Sequence, residues 1–191
     1  MDASSDAKER TVHLVSRIAV FACLIPASLG AQTARKWEVR GDTSGAPRGC
    51  SAKAGLDGIE SWFAAVSKDD SAALARVTPP HFVFSTGRFS PTDPFFVAHS
   101  IGELASYARQ RAKHREQLVL KAITFNNWRG EGLEFGPVYF MRSADDLGPS
   151  PRPGIGKGEY RCKQGVAVLN LAPRPAWDDS RGDMRPPRRT H

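Results

Sequence analysis

Leu56, Ile59, Phe63 and Val66 recur at helical spacing and make one apolar stripe, which Trp62 widens. The stripe predicts a helix from near Gly55, stopped by Ser67-Lys68-Asp69-Asp70. Asp70 can cap the next helix, because its carboxylate can accept the free amide hydrogens of a first turn. That second helix is short, Ser71 to Arg76, with Leu74 and Val77 inward and Pro79-Pro80 ending it. His81-Phe82-Val83-Phe84-Ser85-Thr86 is β-branched and aromatic and reads as a strand, followed by a Gly- and Pro-punctuated loop from Gly87 to Pro94. Ile101 to Arg115 reads as a third, longer helix. Ser100 with Glu103 matches a capping box. Ile101, Leu104 and Tyr107 or Ala108 face the core there, with the arginines on the other side.

Three long strands follow. Leu118 to Asn126 is the first, with Asn127-Trp128-Arg129-Gly130 as the turn. Leu133 to Arg142 is the second, with Phe135, Pro137, Tyr139 and Met141 on one parity and Val138 and Phe140 on the other. A Pro- and Gly-rich loop from Asp145 to Gly158 precedes the third, Glu159 to Leu171. In the third the apolar parity changes: Tyr160 and Cys162 are even, Ala167, Leu169 and Leu171 odd. A bulge near Gln164-Gly165 would reconcile them, since one extra residue flips every later side chain. Pro173 ends the domain. Helices first and long antiparallel strands after is an α+β pattern. Residues 31–49 are polar and read as a linker; residues 174–191 are rich in Pro, Arg and Asp without periodicity and read as a disordered basic tail.

The N-terminus has a different pattern. Lys8, Arg10 and Arg17 precede an apolar run, Ile18 to Leu29, which is too short for the roughly 20 residues a bilayer span needs. Pro26 breaks the run, and Ser28-Leu29-Gly30 puts small residues where a signal peptidase reads. Residues 1–30 are therefore expected to be a signal peptide, cleaved after Gly30 or, second, after Ala31. The protein is then exported, periplasmic or extracellular, with no membrane association after cleavage. Phe21 is a poor fit two residues before Cys23 for a lipoprotein box. Export changes the cysteine arithmetic. Cys23 is lost with the leader, and Cys50 and Cys162 remain in an oxidising compartment, where disulfides persist. A Cys50–Cys162 bridge would close a loop of about 110 residues, worth about 4–5 kcal/mol in the chain-entropy model; two unpaired buried thiols are the alternative. No Cys or His lies at ligand spacing, so no metal site is expected.

Among 191 residues, 27 Lys and Arg against 20 Asp and Glu give a formal charge of +7, which raises nucleic acid or an anionic surface as a partner. The charge is not concentrated, and no nucleic-acid motif accompanies Arg109, Arg111, Lys113 and Arg115 or the tail arginines. A solvated basic surface is the simpler reading, with no specific nucleic-acid partner.

The order helix, short helix, strand, helix, then a meander of long strands resembles the nuclear-transport-factor-2-like superfamily. That superfamily includes ketosteroid isomerases, scytalone dehydratase and SnoaL-like polyketide cyclases. The resemblance is carried by Ile59-Glu60-Ser61-Trp62-Phe63-Ala64-Ala65-Val66, by Asp69-Asp70-Ser71-Ala72-Ala73-Leu74-Ala75-Arg76-Val77 and by His81-Phe82-Val83-Phe84, and it covers residues 55–172. It implies a domain over residues 50–173: a curved antiparallel sheet wrapped around a long helix with two N-terminal helices, a cystatin-like cone with a pocket at its open end. No cofactor is implied.

In ketosteroid isomerase-like members an aspartate on the first strand abstracts a proton, but the first strand here carries no carboxylate. His–Asp pairs serve in dehydratase- and cyclase-like members, and His81, His99 and Asp93 are the candidates for such a pair. Against that, His81 can simply open a strand at the surface and Asp93 a turn with Pro94. Tyr139, Tyr160, Arg161 and Phe84 are the candidate ligand-binding residues, where phenols could orient a ligand carbonyl; the alternative is core aromatics with hydroxyls at the rim. Gly154-Ile155-Gly156-Lys157-Gly158 lies before a strand, lacks the helix N-terminus that would hold phosphate, and reads as a flexible hairpin arm. Two functions follow. One is an exported domain binding a small, partly apolar ligand or a protein partner without catalysis, with a homodimer through the sheet as a further expected partnership. The other is a cofactor-free lyase or isomerase using His81 or His99 with Asp93. Aromatics dominate the expected inward positions and the histidines fall at element ends, so the binding module is favoured over the enzyme.

Overall fold

The computed structural model describes residues 36–42 and 44–175. The expected signal peptide, with Cys23, and the tail beyond Pro175 lie outside the described residues.

Three helices pack on one face of a seven-stranded sheet, so the domain is α+β. The elements in chain order are β1 Lys36–Val39, α1 Ala52–Ser67, α2 Ser71–Val77, β2 Val83–Thr86, β3 Phe96–Ala98, α3 Ile101–Ala112, β4 Gln117–Arg129, β5 Gly132–Ser143, a 3-10 turn Asp145–Leu147, β6 Arg152–Arg161 and β7 Gly165–Pro173. The strand order is β1-β4-β5-β6-β7-β2-β3, with β1 parallel to β4 and β2 parallel to β7.

The caps are where the side chains place them. The Ser51 hydroxyl accepts from Ala54 N at 3.2 Å, the Asp70 carboxylate from Ala73 N at 2.8 Å, and Ser100 and Glu103 close a capping box. Each satisfies an amide hydrogen that the first helical turn leaves free. The apolar stripe of α1 faces the sheet, with Ile59, Trp62, Phe63 and Val66 buried. α1, at 16 residues, is the longest helix among the described residues, and α3 stops at Ala112 with 12, shorter than its sequence reading.

Four readings of the strands are corrected. The linker contains β1, which pairs with β4 through the register Lys36↔Ala122 to Val39↔Phe125. A three-residue edge strand, β3, pairs with β2. The expected loop before the last strand is itself strand from Arg152 onward, so the Gly154–Gly158 run is the middle of β6. Finally, Glu159 to Leu171 is two strands. The two strands are joined by a tight turn at Cys162–Gln164, with left-handed backbone at Lys163 (φ 60°) and Gly165 (φ 108°), while the parity change comes from a register shift in β7, where Tyr160 pairs with Val166 but Glu159 with Val168, so the extra residue is Ala167, just beyond the Gln164-Gly165 expected to bulge. One extra residue moves every later side chain to the other face, so Val166 shares the parity of Tyr160 and Cys162 while Leu169 and Leu171 do not.

Cys50, just before α1, is bonded to Cys162 in the β6–β7 turn across 112 residues, with Cα atoms 5.8 Å apart, inside the range a disulfide spans. The bridge fastens the start of the long helix to the hairpin of the last two strands.

Candidate functional site

The two faces of the sheet differ in chemistry. On the helix side, Trp62, Phe63, Phe84, Phe125, Phe135 and Phe140 are all buried. Ring centroids lie 5.1 Å apart for Trp62–Phe84, 5.7 Å for Phe63–Phe140 and 5.9 Å for Phe89–Phe140, distances at which aromatic rings pack edge to face. β6 makes room for them. Its helix-facing positions are Gly154, Gly156 and Gly158. A Cβ on Gly154 would run into the Phe140 ring, one on Gly156 would come 2.8 Å from Leu171 Cδ2, and one on Gly158 2.6 Å from Phe135 Cζ. The space of the missing side chains is taken by the Phe140 and Phe135 rings and by Leu171, one of the uses of glycine inside a strand.

Deeper on the same side sits a knot of charge. Arg142 of β5, 1% exposed, donates through Nη1 to Asp93 Oδ2 at 2.6 Å and through Nη2 to Glu116 Oε2 at 2.8 Å. Arg111 of α3 bonds the same Glu116 through Nε and holds Asp146 with a two-pronged pair at 2.8 Å and 2.8 Å. Tyr107 donates to Glu116 Oε1 at 3.4 Å, and the Phe89 ring lies 4.7 Å from the Arg142 guanidinium carbon. Asp93 also accepts from Phe89 N at 2.9 Å, which pins the β2–β3 loop onto the knot. Two guanidiniums thus serve three carboxylates contributed by the β2–β3 loop, the α3–β4 turn and the 3-10 turn. Burial works against the charge of both arginines. For Arg111 the Asp146 and Glu116 carboxylates outweigh it, and for Arg142 Tyr107, Glu116 and Asp93 do, so both pKa values lie above the ordinary arginine value. Burial and then Glu116 raise the Tyr107 phenol, and the Arg111 hydrogen bonds lower the Asp146 carboxyl. Arg142 Nε has no hydrogen-bond partner.

The outer face is different. A groove of about 730 Å³ opens across β5, β6 and β7, with Pro137, Ile155 and Val168 as apolar floor and Lys157, Asn126 and Asn170 as polar groups. Its two carboxylates are engaged, Glu134 with Arg129 at 3.1 Å and Glu159 with Arg161 at 2.9 Å. Asn126 Nδ2 donates to Gly136 O at 3.2 Å, and Asn170 Oδ1 accepts from the Ser85 hydroxyl at 2.6 Å. Among the described residues Lys157 has no ion-pair partner.

No protein-family model matches the chain, and no curated protein matches it in sequence. Solved structures match it in shape. An NTF2-like protein with a cystatin-like fold from Novosphingobium aromaticivorans superposes with TM-score 0.51 and 11% identity, over 70% of this chain and 88% of that one. A protein of unknown function with a cystatin-like fold from Methylobium petroleophilum PM1 superposes with TM-score 0.50 and 10% identity, over 74% and 97%. OCP1 of Fremyella diplosiphon gives TM-score 0.53 at 9% identity, over 68% of this chain and 38% of that one, so this chain spans well under half of that protein. The fold is the cystatin-like cone.

Within that cone the sequence-predicted residues are scattered. His81 and His99 are exposed, and the His99 amide caps onto Glu103 Oε2 at 2.8 Å. Asp93 is 1% exposed and its carboxylate is taken by Arg142 and the Phe89 amide. The structure does not assemble the His–Asp pair that a lyase or isomerase would need, because the histidines sit at element ends in water while a buried carboxylate requires a cation. Phe84 and Tyr160 are cone core, Tyr160 packed against Gly58 of α1 with burial raising its phenol pKa. Tyr139 and Arg161 point out of the cone: Tyr139 lies under the Arg174 guanidinium at 5.4 Å, and Arg161 pairs with Glu159. The four do not form one site.

Two features escaped the sequence reading. Arg111 follows Leu104, Tyr107 and Ala108 at helical spacing and is on the buried side of α3, not among the outward arginines. In β5 the register shifts between Phe135 and Val138, which puts Phe135, Val138, Phe140 and Arg142 on one face in place of the expected split. An arginine two places beyond Phe140, at the inward parity, was the signal available.

Proposed function

We propose that the chain is an exported, disulfide-tied binding domain that takes a small, partly apolar molecule bearing an anionic group in the groove on the outer face of its sheet, without catalysis. The observation that carries this reading is the contrast at β6: its inward side is glycine packed under Phe140, Leu171 and Phe135, while its outward side offers Ile155 and a Lys157 with no ion-pair partner among the described residues, beside Pro137, Val168 and Asn170. A groove of about 730 Å³ is within the range of small-molecule sites, which are typically apolar with a few placed polar groups. Lys157 supplies the charge that would orient an anion, and the Asn170 amide a donor beside it. Export is supported by the Cys50–Cys162 disulfide, a bond that persists in oxidising compartments. Among the described residues no helix is long and apolar enough to cross a membrane.

The test uses 1-anilinonaphthalene-8-sulfonate, an aromatic carrying a sulfonate, as the probe. Titrated into the full chain, it should gain fluorescence and shift the amide resonances of Ile155, Lys157, Val168 and Asn170. Val168→Arg should abolish both while leaving the melting temperature unchanged. Shifts centred on Trp62, Phe84 and Tyr107, or a Val168→Arg variant that binds as well as the parent, would place the guest inside the cone and overturn the reading.

A further inference from the structure

We infer that β1 is a docking edge for a second copy of this chain: two β1 strands pair antiparallel about a twofold at Glu38 and join the two sheets edge to edge.

A strand at the end of a sheet keeps half of its backbone groups unpaired, and natural edges are blunted by proline, by bulges or by being very short. The two ends of this sheet differ. β3, at one end, is three residues long. Pro94 stands two residues before it and has no N–H to give. Just after it, the His99 and Ser100 amides both donate to Glu103 Oε2, at 2.8 Å and 3.1 Å. That edge is stopped on both sides. β1, at the other end, contains no proline, pairs with β4 without a register shift, and has no second neighbour among the described residues. Arg40 N donates to Phe125 O at 2.8 Å. Backbone groups alternate sides along a strand, so Glu38 and Arg40 bond β4 while Trp37 and Val39 turn their N–H and C=O groups away from the sheet. Among the described residues no hydrogen bond reaches those groups.

The side chains of the same two residues are uncovered. Trp37 pairs with Ile123 and Val39 with Phe125, on the helix side of the sheet. Ile123 and Phe125 are buried there, yet Trp37 is 44% exposed and Val39 40%. About a twofold at Glu38, Trp37 of one copy lies opposite Val39 of the other, and the reverse. These residues carry the outward N–H and C=O groups, so each pair exchanges both ladder bonds. Each pair also sets an aromatic ring against a β-branched chain, a favourable cross-strand combination. On the other face the two Glu38 carboxylates meet at the axis. Each is held by Arg40 of its own strand at 2.6 Å, and Arg40 of the other copy comes onto the diagonal, so acid and base alternate. With one open edge and one stopped edge, the pairing closes at two copies and does not propagate into a filament. It extends the sheet sideways and leaves the groove over β5, β6 and β7 open, so it does not depend on that groove being a binding site.

Three measurements on the full chain test this. A small interface makes a weak, reversible dimer, so sedimentation equilibrium should show the average mass climbing from one chain toward two, and no further, between about 1 and about 500 µM. Val39→Pro removes an outward N–H and none of the bonds to β4, and should weaken association about tenfold or more with an unchanged circular dichroism spectrum. Trp37→Lys places a charge on the edge, carries the same expectation, and replaces Val39→Pro if the proline disturbs the spectrum. Glu38→Cys should form a disulfide between copies on air oxidation, seen by mass spectrometry as a 38–38 cross-link, because residues directly opposite at such a position are within disulfide reach. Val119→Cys, exposed on β4, should form none. A chain that stays monomeric over the whole range overturns the inference. So does a dimer that Val39→Pro and Trp37→Lys leave as strong as the parent's, with no 38–38 cross-link, which would put the second copy on another surface. Mass growing past two chains also overturns it, because the β3 edge would then be open as well.

Discussion

The same four central strands, β4 to β7, present two surfaces that solve opposite problems. The helix-facing surface carries the more reactive-looking inventory, with two arginines, three carboxylates and a tyrosine, yet nearly every polar group there is spoken for. Glu116 alone is shared by Arg111, Arg142 and Tyr107. The outer surface carries fewer and plainer groups, and among the described residues its Lys157 has no ion-pair partner. A buried charge that has found its partners is structural, since its energy is already committed; a partly exposed one without partners is what recognition can use. The perturbed pKa values of Tyr107, Arg111 and Arg142 therefore mark the knot that holds the loop and helix together.

The strongest challenge to this contrast is to remove the centre of the knot. Arg142→Met leaves Asp93 and Glu116 buried beside an apolar side chain of similar length. Stability measured by urea unfolding should fall by about 3–5 kcal/mol, as when one partner of a buried ion pair is lost. Adding Asp93→Asn should return part of it, because the carboxylate that loses its nearest cation is then neutral, while Glu116 keeps Arg111. A loss under about 1 kcal/mol from the single variant would mean that the carboxylates are hydrated, and the interior would then be open to guests after all.

A smaller effect comes from the knot's exposed rim. Hydrogen bonds from Arg111 hold the Asp146 carboxyl below its ordinary value of 3.8. A depressed carboxyl stabilises the fold above its unfolded pKa, and that contribution is lost as pH falls through the folded value. Part of the acid sensitivity of the fold below about pH 4 should therefore belong to Asp146. In Asp146→Asn, chemical denaturation between about pH 5 and pH 2 should show a lower plateau at the upper end and a shallower fall. An unchanged acid limb would detach Asp146 from the knot.

How much of this could be read in the sequence depends on the range of the interaction. The three helices, their caps and the long strands follow from local spacing, and their order led to the cone. β1 and β3 did not, because three or four residues at a sheet edge have too little pattern of their own and exist only through pairing with β4 and β2. The glycines of β6 looked like a loop for a similar reason: what makes them strand is Phe135 and Phe140 on the neighbouring strand, filling the space their own side chains lack. The candidate site was the least legible part. Asp93 was named only as a candidate partner for His81 or His99, and its carboxylate is held by Arg142, 49 positions away. Lys157 was passed over because an isolated lysine among glycines resembles a solvated turn until the sheet places it in a groove.

The finest test of the two-faced sheet changes no stability at all. Lys157 has no ion-pair partner among the described residues and projects into the outer groove, so Lys157→Gln removes no buried contact and should leave the unfolding free energy within about 0.5 kcal/mol of the parent. Its effect should appear only with a charged guest. 1-Anilinonaphthalene-8-sulfonate should bind the variant a few-fold more weakly, while N-phenyl-1-naphthylamine, which keeps the rings and lacks the sulfonate, should bind both proteins alike. The difference between the probes should shrink as salt is raised, because an exposed ion pair is screened over about 10 Å at 0.1 M ionic strength. Equal weakening of both probes would mean that Lys157 shapes the groove and does not read charge. No weakening of either would leave the apolar floor of Pro137, Ile155 and Val168 as the whole of the recognition.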